Sequence, residues 1–153
     1  GIDFSIFFQG VLKRDWMFDA GDPYFWGAGS GMWQAACFEE HMDYWTPENT
    51  DAYYPKPYFN ETKNQQAQDA YMQKASYLRC KNIQLGYTLP THITEKAGIS
   101  NCRIYLSCDN LFTITGLSSV YDPEAFGSYD GYGTSGKTYP LQRTISVGVN
   151  LNF

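Results

Sequence analysis

Catalysis and metal binding need nucleophiles, bases or ligands at workable spacing. The densest such set in this 153-residue sequence is Glu39-Glu40-His41-Met42-Asp43. Three carboxylates about one imidazole resemble a metal-binding run. They do not, however, form the His-Glu-x-x-His motif, which places two histidines on one helical face. The other histidine, His92, is far along the chain, so the run reads as a solvated loop. Asp122, Glu124 and Asp130 offer the hard oxygen ligands that Ca²⁺ takes, at a spacing that matches no EF-hand loop. A calcium ion in that loop is the one cofactor these residues suggest; otherwise none is expected. No Gly-x-Ser-x-Gly elbow is present. The four cysteines make no Cys-x-x-Cys pair. Cys102 and Cys108, six residues apart, would lie about 20 Å from one another in a strand, too far for a disulfide. They read as small apolar residues. No enzyme is expected from this set.

Aromatic side chains are the stronger lead. Trp26, Trp33, Tyr44, Trp45, Tyr53, Tyr54, Tyr129 and Tyr132 lie among Gly and Asp in two long polar stretches. Flat aromatic faces stack on sugar rings or grip a peptide with little loss of side-chain entropy. Trp26, Trp33, Trp45, Tyr129 and Tyr132 are therefore candidate contacts to a substrate or a covering protein. Packing of the loops against themselves is the alternative for each ring.

The elements that must carry these loops alternate with period two. Ile145, Val147, Val149, Leu151 and Phe153 share one face, opposed by Ser146, Gly148, Asn150 and Asn152. Ile83, Leu85, Tyr87 and Leu89 oppose Asn82, Gln84, Gly86 and Thr88, with Pro90 ending the strand. Ile104, Leu106 and Cys108, then Phe112 and Ile114, oppose Arg103, Tyr105, Ser107 and Asp109. Phe4, Ile6, Phe8 and Leu12 oppose Ser5, Gln9 and Lys13. Strands are expected at about 2–16, 77–89, 102–115 and 143–153. Two features break the pattern. Arg79 and Lys81 fall on apolar parity, where a midplane base facing lipid costs about 2–4 kcal/mol, so they belong outside the hydrocarbon or past a bulge. Asn110 likewise marks a bulge or an exit.

Each strand is near the roughly 9–11 residues that cross an outer membrane, whereas no apolar run reaches the ~18 residues of a spanning helix. Aromatics at 18%, with charged residues also at 18%, suit a barrel wall. A net charge of −5 argues against nucleic acid as a partner. Connections 17–76 and 116–142 are long and 90–101 is short, the alternation expected of extracellular loops and a periplasmic turn. Such long loops are uncommon in a compact soluble domain. Four strands cannot close a barrel, for which about eight is the minimum. The chain also opens within a strand, at Gly1-Ile2-Asp3-Phe4, so it reads as one segment of a larger antiparallel transmembrane β-barrel, the last four strands of it. Ile83, Leu85, Tyr87, Ile145, Val147, Val149 and Leu151 would then face lipid. The inward positions Asn82, Gln84, Tyr105 and Asp109 join the loops as candidate substrate contacts.

Ser146 to Phe153 looks like the β-signal that outer-membrane barrels present for assembly, with Gly148, Leu151 and Phe153 as its key residues. Ala75–Pro90 resembles a recurrent block of the SusC/RagA family of TonB-dependent transporters. So do Gly98-Ile99-Ser100 through Asn110-Leu111-Phe112-Thr113, Tyr121-Asp122-Pro123-Glu124, Tyr139–Thr144 and, in the long loop, Trp45–Asn49. These blocks run in family order from Trp45 to Phe153. Cys80 and Cys108 stand where the family pattern has a leucine and a small residue. The resemblance implies a receptor of about 22 strands in the outer membrane of a Gram-negative bacterium of the Bacteroidota. A plug would fill its barrel, a SusD-like lipoprotein would cover it, and TonB, ExbB and ExbD would drive uptake of an oligosaccharide or oligopeptide. Plug and TonB box fall outside these residues. The alternatives are a passive or enzymatic outer-membrane barrel and a soluble aromatic-rich glycan-binding β domain.

Overall fold

The computed structural model describes residues 1–30, 37–58, 61–126 and 141–153. It divides into two compact units. The first takes residues up to Arg14, Ser76–Gly116 and the described residues from 141 onward. The second takes Asp15–Ala75 and the described residues from Leu117 to 126.

The first unit is a four-stranded antiparallel sheet. Its strands are β1 (Ile2–Val11), β4 (Tyr77–Thr88), β5 (Asn101–Thr115) and β6 (Thr144–Asn152), in that spatial order. Phe4 pairs with Leu85, Leu85 with Leu106, and Leu106 with Val147, so the alternation of each strand adds to one face. That face stays open: Val147 is 74% exposed and Ile145 66%. Phe4, Ile6, Leu85, Tyr87, Ile104, Leu106, Val149 and Leu151 are exposed as well. No second layer of this unit covers them.

The bulge falls at Lys81. Phe7 pairs with Asn82 but Phe8 pairs with Cys80, and on the other side Asn82 meets Asp109 while Cys80 meets Phe112. Lys81 is thus the extra residue against β1, while on β5 Asn110 and Leu111 together face it, and Asn110 takes a left-handed φ of 51°, a conformation asparagine tolerates better than most residues. One inserted residue switches the parity of β4. Arg79 moves off the apolar face and lies at 5% exposure, its Nε donating to Thr113 Oγ1 at 2.7 Å. Leu78 and Cys80 take the apolar face instead.

The first strand is shorter than its alternation predicts. It ends at Val11 rather than Trp16, because its partner β4 begins at Tyr77 and the ladder has nothing further to bond. Leu12 is 94% exposed, and the Arg14 amide donates to Ser76 Oγ at 3.1 Å. Asp15–Trp16 then form β2, paired with β3 (Gln73–Lys74) in a separate two-stranded ribbon of the second unit. Between β4 and β5, Pro90 caps a single helical turn, α1 (Thr91–Thr94), followed by a 3-10 turn at Glu95–Ala97. Gly98 closes it at φ 71°, a left-handed cap that glycine adopts without a Cβ penalty.

The second unit has little regular structure and a core of rings. Phe18, Phe25, Trp26, Tyr54, Tyr71, Ala75, Leu117, Tyr121 and Phe126 are buried together. Phe18 stacks on Phe25 at 4.7 Å between centroids, and Phe25 meets Trp26, Tyr54 and Tyr71 edge to face. Asp22, also buried, anchors one turn by accepting from the amides of Tyr24 and Phe25 at 3.0 Å each.

Candidate functional site

On the face of the sheet opposite the apolar one, polar side chains bond across strands. Arg103 holds Asp3 bidentately, at 3.0 Å and 2.5 Å, and also donates to Gln84 at 3.1 Å. Asn82 donates to Asp109 Oδ1 at 2.7 Å and to Ser107 at 3.2 Å. Two strand glycines make room for this layer. A Cβ at Gly86 would overlap the Asp3 and Arg103 head groups, and one at Gly148 would overlap the Tyr105 ring. Asn82, Gln84, Tyr105 and Asp109 therefore share one surface, tied together by hydrogen bonds and by the ring of Tyr105 lying on Gly148. Gly148 thus has a packing reason for being glycine, independent of any signal. Leu151 is exposed on the apolar face and Phe153 follows the last residue of β6.

The loop unit contains the cavity. About 220 Å³ is enclosed by Trp26, Met42, Tyr44, Tyr54, Pro55, Pro57 and Tyr58, with His41 in the wall and Lys56 and Glu61 among the charged groups around it. A wider polar cleft of about 520 Å³ shares Tyr54, Pro55, Lys56 and Tyr58 with it and adds Trp45, Lys63 and Tyr71. The two hollows thus meet along the Tyr54–Tyr58 segment. Lys63 Nζ sits 4.1 Å from the Tyr58 ring centroid and Lys56 Nζ 5.7 Å from it, so two ammonium groups flank one aromatic face.

His41 is 7% exposed, in place of the solvated residue expected. Its Nδ1 accepts from the Phe38 amide at 3.0 Å, and its Nε2 is buried with no hydrogen-bond partner among the described residues. Gly27, at φ 56°, is shaped for it: a Cβ there would stand 2.7 Å from Nδ1. The neighbouring carboxylates point to other work. Asp43 accepts from Asn49 Nδ2 and from the Tyr53 amide, both at 3.1 Å, and Glu40 accepts from Ser118 Oγ at 2.9 Å. No cluster of metal ligands forms among the described residues. Asp122 accepts from the Glu124 amide at 2.9 Å as a cap, and Asp130 lies outside the described residues.

Burial raises the phenols of Tyr53, Tyr54, Tyr71 and Tyr121 above the ordinary tyrosine value. Nearby carboxylates, Glu40 beside Tyr54 and Asp22 beside Tyr121, push in the same direction. Among these rings, Tyr54 lines both hollows and Tyr71 the wider one. Of the aromatic candidates, Trp26 is a buried wall residue whose indole N–H donates to Asp19 O at 2.9 Å, and Trp45 lines the open cleft. Trp33, Tyr129 and Tyr132 lie outside the described residues. Sequence reading missed Lys56, Tyr58 and Lys63, and placed His41 in solvent. The Pro-Lys-Pro-Tyr run at 55–58 was the available signal, since two prolines stiffen a backbone that displays a ring between lysines.

No protein-family model matches the chain. Two curated relatives from Formosa agariphila do: TonB-dependent receptor P3, 34% identical over 82% of this chain, and TonB-dependent receptor P26, 28% identical over 99% of it. Solved structures of the RagAB peptide importer in its open-open and closed-closed states match the whole chain at 27% identity, with TM-scores of 0.71 and 0.70. This chain belongs to the SusC/RagA-type TonB-dependent receptors. It spans 13% and 16% of the curated relatives' length and 16% of each solved chain. Membership explains the uncovered apolar face: these four strands supply part of a transmembrane β-barrel, in a family of outer-membrane proteins, and lipid is the solvent that such a wall meets.

Proposed function

We propose that this chain forms one stretch of wall and two extracellular loops of a non-enzymatic outer-membrane importer. That importer takes up an oligosaccharide or oligopeptide by TonB-dependent transport, together with a SusD-like lipoprotein. The observation that carries the reading is the sheet itself, apolar and open on one face, hydrogen-bonded and polar on the other. A catalytic barrel would need a reactive constellation on that polar face, and its groups are instead paired across strands by Arg103 and Asn82. The aromatic loop unit supports capture of a large solute before transport, because rings give contact area at low entropic cost. Similarity to receptors energised through TonB supports active uptake over passive leakage.

The test is genetic and uses the whole receptor gene. Deleting it should abolish growth on one class of oligosaccharide or peptide, and deleting tonB should reproduce the defect. Affinity purification from outer membranes should retain a lipoprotein partner. Uptake that persists without TonB or the proton-motive force would make the barrel a passive pore and end the proposal.

A further inference from the structure

The enclosed cavity of the loop unit has properties that select a ligand. Its walls are rings and prolines, Trp26, Tyr44, Tyr54, Pro55, Pro57 and Tyr58. An apolar protein cavity of about 150 Å³ already holds benzene; this one, at about 220 Å³, admits a benzyl- or indole-sized group. Most of the polar side chains traced at its border are occupied with the loops themselves, although His41 Nε2 is buried without a hydrogen-bond partner among the described residues. Gln65 Oε1 accepts from the Gly21 amide at 2.6 Å, Gln65 Nε2 donates to Glu61 O, and Asn64 Nδ2 donates to Lys56 O. His41 Nδ1 is taken by the Phe38 amide. A sugar ring buried here would bring several hydroxyls that need partners, and burying them unpaired is costly. An alkyl or aryl group needs none. Along the Tyr54–Tyr58 ridge, Lys56 and Lys63 then stand beside whatever continues from the buried group into the open cleft.

We infer that this cavity is a side-chain pocket for an extended peptide, taking a bulky apolar residue, with Lys56 and Lys63 receiving a carboxylate that lies next to it. The inference rests on the importer reading for its biology, but its binding measurement does not depend on transport. It assigns the substrate class at the loop unit as peptide, and the preferred sequence as an aromatic residue near an acidic residue or a C-terminus.

The experiment uses the full-length receptor purified in detergent and titration calorimetry with blocked peptides. Acetyl-Gly-Phe-Gly-Asp should bind at least about tenfold more tightly than acetyl-Gly-Ala-Gly-Asp, the scale of apolar pocket discrimination. Ala28 is exposed on the cavity border, clear of the ring core, so Ala28→Trp fills the space and should erase that preference. Tyr44→Ala, at an exposed wall ring, should weaken it and decides the matter where the first variant does not fold. With both peptides amidated at the C-terminus, Lys56→Glu with Lys63→Glu should cost the acidic peptide several-fold and leave its acetyl-Gly-Phe-Gly-Asn counterpart unchanged. A Phe preference that survives both cavity variants overturns the assignment. Binding of an oligosaccharide that Ala28→Trp abolishes overturns the peptide class. A Phe preference in a receptor that imports nothing through TonB leaves the pocket standing and removes the importer.

Discussion

The two units of this chain spend their hydrophobic residues in opposite ways. The sheet places Phe4, Leu85, Leu106 and Val147 on an open face, and its opposite surface is a lattice of Arg103, Asn82 and Asp109. The loop unit turns Phe18, Phe25, Trp26 and Tyr121 inward and buries only a few polar groups with them, Asp22 and Asp122 among these. Within one chain, one unit leaves its apolar side chains open and the other buries them. A strand wall in lipid gains nothing by hiding its apolar residues, whereas a loop in water must hide them.

Alkaline pH should separate the two most sharply. The phenols of buried Tyr54, Tyr71 and Tyr121 and of the half-covered Tyr53 are raised above 10.0, chiefly by desolvation. A raised folded-state value means that their stabilising contribution is complete below about pH 10, where the unfolded phenols titrate, and falls as pH climbs towards the folded values. Tyr54, Tyr71 and Tyr121 share the ring core and Tyr53 packs edge to face on two of them, so their ionisation favours unfolding together. Above pH 10 the loop unit of the full receptor should lose near-UV circular dichroism and become protease-sensitive as phenolate absorbance rises. Strand signal should persist, since its apolar face is mostly alkyl and phenyl groups. Simultaneous loss of both signals would mean that the units do not differ in what stabilises them.

The next contrast lies within the sheet. Val147→Arg puts a charge on the lipid face and should cost about 2–4 kcal/mol if the residue lies near the midplane, less towards either interface. Ser146→Arg, one residue away on the polar face, should cost little. Folding into phospholipid vesicles, followed by urea titration, reads both. Equal penalties would show that the open face meets protein rather than lipid.

How much of this was legible depended on periodicity. Alternation from Ile145 to Leu151 names the open face directly, because each residue of a strand turns to the side opposite its neighbour. Parity also exposed Arg79 as misplaced, and the bulge at Lys81 is the physical resolution. It could not tell where β1 stops, since Leu12 to Trp16 keep a strand-like composition after the ladder has lost its partner. The loop unit escaped almost wholly. Contacts such as Phe25 with Tyr71 and His41 with Gly27 join residues with no common period, so only composition hinted at a ring core. The Glu39–Asp43 run reads as a solvated loop, and its carboxylates do diverge towards Asn49 and Ser118, but the burial of His41 left no trace in the spacing.

The smallest expected effect tests whether the polar face is a packed surface or only a wetted one. Gly148 lies beneath Tyr105, and any Cβ there must displace the ring. Gly148→Ala should therefore destabilise by about 1–3 kcal/mol, the usual cost of overpacking, although alanine is otherwise the better strand residue. Tyr105→Ala alone should cost the ring contact, and in the double variant the penalty at position 148 should vanish, leaving a coupling on the order of 1 kcal/mol. A Gly148→Ala penalty that is the same with and without Tyr105 would detach the glycine from the ring. Its role would then lie with the backbone approach of a neighbouring strand or with recognition during assembly, and the tyrosine would be free to face the lumen.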